Sequence, residues 1–148
     1  MPDRTFVYTT YIRSTREQVW AALTTPEFTT KYWNGRVVES DWRAGSPVTV
    51  RHDYDDGIDF TGTVTEASEP RRLSYRFAGP DRERSGTLTF ELTPHGEVVA
   101  LTVTHEGLSP TEYASAGGGW SFILSNLKTL LESGTTLPMP DAVLAAYR

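Results

Sequence analysis

Two of the three histidines, His52 and His105, fall in strand-like stretches whose alternation turns them toward the same side as Tyr8 and Tyr75. An imidazole titrates near neutrality and, like a phenol, can both donate and accept a hydrogen bond. Such groups converging on one cavity could orient a ligand or, if two came within hydrogen-bond reach of it, transfer a proton. The third histidine lies in the turn Pro94-His95-Gly96 and is expected to be exposed. Trp33 and Trp120 are candidates for an apolar wall, each bringing a large ring and a single N–H, whereas Trp20 is expected to pack in the core. The run Gly117-Gly118-Gly119 directly before Trp120 is expected to bend a helix and so to act as a hinge or a packing kink.

Other chemistries find no support. Asp53, Asp55, Asp56 and Asp59 surround Gly57 but lack the length and terminal glutamate of a calcium loop, so they read as a turn. Glu66 and Glu106 have no second acid placed to face one scissile bond. Arg82-Glu83-Arg84 reads as a solvated loop. No glycine-rich dinucleotide motif, phosphate-loop lysine or Gly-x-Ser-x-Gly elbow occurs. With zero cysteines the chain has no disulfide, thiolate ligand or thiol nucleophile, which fits a reducing compartment. No catalytic set, metal or cofactor is expected.

The elements that must position these residues follow from periodicity. Phe6, Tyr8, Thr10 and Ile12 share one face of a strand. Ser14 with Glu17 has the spacing of a capping box ahead of Val19, Trp20 and Leu23, and Thr25-Pro26 starts a second short helix reaching Tyr32 and Trp33. From Gly35 to Glu106, strand-length runs alternate with turn residues at Ala44–Pro47, Asp55–Gly57, Ser68–Pro70, Ala78–Asp81 and Pro94–Gly96, predicting six to seven antiparallel strands. Their inward sets are Val48, Val50 and His52; Phe60, Gly62 and Val64; Leu73, Tyr75 and Phe77; Leu88, Phe90 and Leu92; and Leu101, Val103 and His105. Ser109-Pro110-Thr111-Glu112 then combines a cap, a proline at the first helical position and a reciprocal acid. Trp120, Ile123, Leu124, Leu127, Leu130 and Leu131 form an apolar stripe ending at Gly134, and Asp141–Tyr147 could add a helical turn or two. Neither that stripe nor a sheet's apolar face can stay wet, so the predicted architecture is α+β, a curved antiparallel sheet wrapped around one long C-terminal helix. At 148 residues it is expected to be a single domain, with a core over 5–134 and a tail beyond.

The runs Ser14–Glu27, Tyr32-Trp33, Phe60-Thr61-Gly62, Pro70–Leu73, Leu101–Gly107 and Gly119-Trp120, taken in this order, resemble the activator of heat-shock-protein-90 ATPase homologue family. That family is a branch of the START-like (SRPBCC) superfamily, which includes polyketide cyclases and birch-pollen-allergen-like proteins. The resemblance covers Thr5 to about Gly134 and implies a helix-grip START-like fold with two short helices after the first strand. It also implies a cavity for an apolar molecule such as a lipid, a polyketide or a flavonoid. Combined with alternation, this predicts a lining of Tyr8, Tyr32, Trp33, His52, Phe60, Tyr75, Phe77, His105, Trp120, Leu124 and Leu127.

Three functions compete. The first is binding of an apolar or aromatic small molecule. The second is a chaperone-linked interaction module using the sheet's outer surface or the Tyr32–Gly35 corner, with a heat-shock chaperone as partner. The third is a cyclase- or dehydratase-like enzyme using His52, His105 or Tyr75. A net charge of −5 with no Lys/Arg run argues against nucleic acid. No apolar stretch is long enough to span a bilayer and no signal peptide opens the chain, so a cytoplasmic monomer or homodimer is expected.

Overall fold

The structure is a computed structural model and describes residues 3–52, 57–78 and 86–138. The aspartate turn at Asp55 and Asp56, the Gly79–Arg84 loop and the Asp141–Tyr147 stretch lie outside the described residues.

The chain runs β1 (Arg4–Ile12), α1 (Arg16–Thr24), α2 (Pro26–Tyr32), β2 (Arg36–Ser40), β3 (Pro47–His52), β4 (Ile58–Ser68), β5 (Arg72–Ala78), β6 (Gly86–His95), β7 (Val98–Leu108) and α3 (Pro110–Ser133). The strands form one seven-stranded sheet in the order β1-β7-β6-β5-β4-β3-β2, with every neighbouring pair antiparallel. α1 and α2 therefore carry the chain from one edge of the sheet to the other. This is the helix-grip arrangement expected from the element order.

Alternation is clearest in β1, where Ile12 is fully buried while Val7 and Tyr11 are exposed on the opposite face. Val48, Val50, Val64, Leu73, Tyr75, Leu88, Phe90, Leu92, Leu101 and Val103 fill the inward face with α3's Ile123, Leu124, Leu127 and Leu130. Gly62 has a steric role: a Cβ there would lie 2.1 Å from the carbonyl oxygen of Arg76, so β4 and β5 approach too closely for a side chain.

The helix boundaries correct one expectation. The N-cap of α1 is Thr15, whose hydroxyl accepts from the Gln18 N–H at 3.2 Å, and not Ser14, which instead donates to the Gln18 side chain at 2.7 Å. Starting one residue later still buries Val19, Trp20, Ala22 and Leu23 together, and packing decides between two adjacent hydroxyl caps. α3 runs as one unbroken helix through Gly117–Gly119, so the glycines do not divide it. Its ends match the sequence signals. Ser109 and Glu112 form the reciprocal capping box at 3.1 and 2.9 Å, and Gly134 closes the helix at φ 81°, a backbone region suited to glycine.

Two aromatic side chains finish the C-terminal end of α1. The Tyr32 hydroxyl donates to the Ala22 carbonyl at 2.8 Å, and Trp42 Nε1–H donates to the Thr24 carbonyl at 2.9 Å. Both acceptors belong to the helix's last turn, where carbonyls lack intrahelical partners. At the far end of α3, Lys128 donates to the Tyr11 carbonyl at 2.7 Å and Glu132 accepts from the Arg13 N–H at 2.8 Å. These bonds fasten the helix to edge strand β1 and its continuation.

Candidate functional site

The N-terminal half of α3 meets the sheet at edge strand β1, where Tyr113 packs edge-on against Phe6 at 6.2 Å, and faces strands β3 to β7 across a gap. Between them lies a cavity of about 780 Å³. Val50, Phe60, Tyr75, Phe77, Leu88, His105 and Leu108 supply its sheet side, one or two from each of β3 to β7. The helix side comes from Thr111, Glu112, Ser115, Ala116, Gly119, Trp120 and Ile123, spaced at three, four and one residues along a single face. Trp33 and Arg36, flanking the entry to β2, and the cap Ser109 complete the lining. Thr111 and Ser115 are exposed and mark the mouth.

The wall is an aromatic relay. Ring centroids are 5.4 Å apart for Trp33 and Trp120, 6.1 Å for Trp120 and His105, 5.6 Å for His105 and Phe77, and 5.1 Å for Phe77 and Phe60. Behind it, Phe90 meets Trp120 edge-on at 6.1 Å and Tyr75 at 6.2 Å. Edge-to-face and tilted pairs at such distances are favourable, because the positive rim of one ring meets the negative face of the next.

His105 is the polar centre of this wall. Trp120 Nε1–H donates to His105 Nδ1 at 3.2 Å. An indole nitrogen can only donate, so the imidazole nitrogen facing it must accept, and a neutral ring then carries its proton on Nε2. Burial pushes the His105 pKa down to about 4, against a smaller opposing pull from the Glu112 carboxylate. The neutral form therefore prevails at physiological pH. On the same wall, burial raises the Tyr75 pKa far above that of a free phenol, although the nearby Arg36 charge pulls it the other way. Tyr75 keeps its proton and is a donor.

Trp33, Phe60, Tyr75, Phe77, His105 and Trp120 thus come together around one space, as the inward faces predict. The remaining predicted lining residues lie elsewhere. Tyr32 is 1% exposed and committed to the Ala22 carbonyl, with burial raising its pKa. Leu124 and Leu127 are core residues of the C-terminal half of α3, where helix and sheet are in full contact. Tyr8 stacks on Phe6 with ring centroids 6.4 Å apart on β1, the edge strand that adds nothing to the lining. His52 closes β3 opposite Arg36 of β2 and does not share the cavity with His105. Periodicity assigns a face but not a distance along an element, and Leu124 and Leu127 are displaced along α3 from the open end.

Sequence reading missed Arg36, Val50, Leu88 and Leu108, and above all the first three turns of α3. The signal was present in Ala114-Ser115-Ala116-Gly117-Gly118-Gly119, a run of small residues on a helix that otherwise presents leucine and isoleucine. A small residue on a sheet-facing stripe leaves room beneath it. Among the described residues no three His, Asp or Glu side chains gather to hold a metal, and no helix is long and apolar enough to cross a membrane.

The family described as Activator of Hsp90 ATPase homolog 1-like protein matches residues 13–132. The chain belongs to that family. No curated protein matches the sequence. Among solved structures, the chain is similar to ChR145 from Cytophaga hutchinsonii at 26% identity and TM-score 0.75, covering 90% of this chain and 98% of that one. It shares the fold of a protein of Plasmodium falciparum described as an HSP90 activator, at 19% identity and TM-score 0.71 over 86% of this chain and 96% of that one. It also shares the fold of DynU16, a protein of the dynemicin biosynthetic locus, at 24% identity and TM-score 0.72 over 91% of this chain and 49% of that one.

Proposed function

We propose that this member of the Activator of Hsp90 ATPase homolog 1-like family binds an apolar or aromatic small molecule in the space between the sheet and the first half of α3. One observation carries the reading. An aromatic-walled volume of about 780 Å³ persists inside a domain whose other helix–sheet contacts are closed. Close-packed interiors leave few voids larger than a water molecule, and ligand cavities run from about 300 to 1,000 Å³. The wall offers apolar ring faces with a few polar groups, the composition that binds and orients a small organic molecule.

Titration of the full-length protein with planar aromatics and fatty acids, followed by tryptophan fluorescence, tests this, since Trp33 and Trp120 line the space. Saturable 1:1 quenching is expected. Its absence for every compound, with no co-purifying small molecule in native mass spectrometry, would overturn the reading.

A second reading, association with a heat-shock chaperone, is favoured by the family description and by the relative named as an activator. Val7 and Tyr11, exposed on the outer face of β1, are the apolar contacts it would use. Stimulation of the chaperone's ATPase that is lost in Val7→Ser/Tyr11→Ser would support it. A rate unchanged by saturating protein would remove it.

A further inference from the structure

The two edges of the sheet are protected unequally. β2, at one end, is five residues long and carries Arg36 and Glu39, the latter paired with Arg51 at 3.1 Å. Short length and charge are common means by which a sheet keeps its edge from pairing with another chain. β1, at the other end, is nine residues long, and from Thr5 to Ile12 it has no charged residue, proline or glycine. An uncharged strand rich in β-branched and aromatic residues at an open edge is a template for a further strand.

The outward-pointing backbone groups of β1 follow from its contacts. Lys128 donates to the Tyr11 carbonyl at 2.7 Å and the Arg13 N–H donates to Glu132 at 2.8 Å, so at these positions the main chain points to the flank away from β7. Backbone direction alternates along a strand, and Thr5, Val7 and Thr9 share it. The hydroxyl contact between Thr9 and Thr102 at 2.8 Å fits this, since opposed side chains come closest where a pair does not exchange ladder bonds. Among the described residues, no element outside the sheet hydrogen-bonds to the main chain of Thr5, Val7 or Thr9. Val7 is 58% exposed and Tyr11 55%. Access to the edge is open, because the neighbouring turns of α3 carry Ala114, Gly117, Gly118 and Ser121, and a Cβ added at Gly118 would meet nothing within 4 Å.

The strand that complements this edge is the edge itself. Laid antiparallel with Val7 on a two-fold axis, β1 sets Thr5 against the partner's Thr9, Val7 against the partner's Val7, and Phe6 against the partner's Tyr8. Valine meets valine and threonine meets threonine on the outer face. On the inner face the Phe6–Tyr8 stack, with centroids 6.4 Å apart, meets its own copy. The same register brings the partner's Asp3 opposite Tyr11, whose carbonyl holds the Lys128 ammonium, so a carboxylate approaches a cation at each end of the pair. A slip of two residues in either direction parts the valines.

We infer that this chain associates with a second copy of itself through the free edge of β1, in antiparallel register centred on Val7, so that two seven-stranded sheets become one continuous sheet. None of the pairing residues lines the cavity, and the contact is independent of what the cavity holds. One strand pair with its flanking rings is a small interface, which fits a reversible dimer.

Sedimentation equilibrium of the full-length protein, from micromolar to millimolar concentration, is expected to show a monomer–dimer equilibrium. Because Val7 faces its own copy, Val7→Lys and Val7→Glu are each expected to be monomeric, and an equimolar mixture of the two is expected to dimerise again. The chain has no cysteine, so Val7→Cys and Tyr11→Cys report the register directly from two equally exposed positions. Directly opposed residues lie about 5.5 Å apart at Cα, within reach of a disulfide, whereas the two Tyr11 positions would be roughly 27 Å apart. Mild oxidation is expected to link Val7→Cys and to leave Tyr11→Cys unlinked. If a charged variant does not fold, the cysteine pair decides. A protein monomeric at every concentration, a dimer undiminished in Val7→Lys, or equal linking of the two cysteine variants would overturn the pairing. A monomeric protein whose stimulation of a chaperone ATPase is lost in Val7→Lys would also overturn it, and would assign the edge to the chaperone.

Discussion

The two halves of α3 face the same sheet and do opposite things. From Leu124 to Leu130 the helix sets Leu124, Leu127 and Leu130 directly onto the inward residues of the strands, in one continuous core. From Pro110 to Gly119 it offers Thr111, Glu112, Ser115, Ala116 and Gly119 to the same layer, and about 780 Å³ remains. The helix is continuous across both halves, and Ser115, Ala116 and Gly119 of the open half are smaller than the leucines of the closed one. A container can thus be made within a single packed interface by shortening the residues along part of one stripe. The closed half holds the two layers together and lets the open half stay open.

That contrast can be broken at either end. The largest effect is expected in the closed half. Leu127→Ala removes a fully buried side chain with no means of refilling the space, and it should cost about 2–5 kcal/mol of stability in urea denaturation. Aromatic-probe affinity per folded molecule should be unchanged. If instead the variant is barely destabilised, the closed half is not closed.

Next in size is a pH effect confined to the open half. His105 has a folded pKa of about 4 against 6.5 for the free side chain. The unfolded chain therefore takes up the proton first, and stability is complete above pH 6.5 and declines as the pH falls toward 4. The decline attributable to this group is at most about 3 kcal/mol, since each pKa unit corresponds to about 1.4 kcal/mol. Thermal melts between pH 7 and 4 should show a shallower decline for His105→Gln than for the unaltered protein. Parallel curves would mean that the imidazole is not held neutral.

Gly118 tests whether the glycine run has any use beyond making space. A Cβ there meets nothing within 4 Å, so Gly118→Ala should raise stability by about 0.5–1 kcal/mol through helix propensity, with no change in probe binding. A stabilised variant that binds more weakly would show that the run must flex for entry.

The smallest effect on stability should accompany a decisive effect on binding. Ala116→Leu extends a side chain into the cavity and should alter stability by less than about 1 kcal/mol, because it fills existing space rather than overpacking a core. The same substitution should weaken probe binding at least tenfold. Retention of full affinity would place the ligand outside the cavity described here.

How much of this was legible in the residues divides along the same line. Strand alternation placed Phe60, Tyr75, Phe77 and His105 on the inward face, because a period of two leaves only two choices. The capping box at Ser109 and Glu112 was readable because its partners are three residues apart. Leu124 and Leu127 were expected on the cavity wall, since the apolar stripe is continuous in sequence and nothing local marks where helix and sheet part company. Ser115 and Ala116 went unread for the converse reason, since small residues attract no attention in a search for chemical groups and their contribution is the volume they leave vacant; Gly119 was read as part of a hinge or kink and not as lining. Tyr32 resembled a cavity aromatic, but its destination depends on the Ala22 carbonyl, a backbone atom that no side-chain pattern reveals. The pairing of Trp120 with His105 was equally invisible, because it joins two elements through a geometry that periodicity does not encode.

The placement of β1 beside β7 has a consequence for how the molecule comes into being. Thr9 and Thr102, whose hydroxyls meet at 2.8 Å across that pair, are 93 residues apart, and Arg13 and Glu132 are separated by 119. A chain emerging from the ribosome therefore synthesises its first strand long before that strand's neighbour exists. Sequence-distant closure of this kind slows folding, since a long loop must be ordered before its contacts repay the entropy. During that interval the inward aromatic face is bare, and α3, made after all seven strands of the sheet, is the element that covers it.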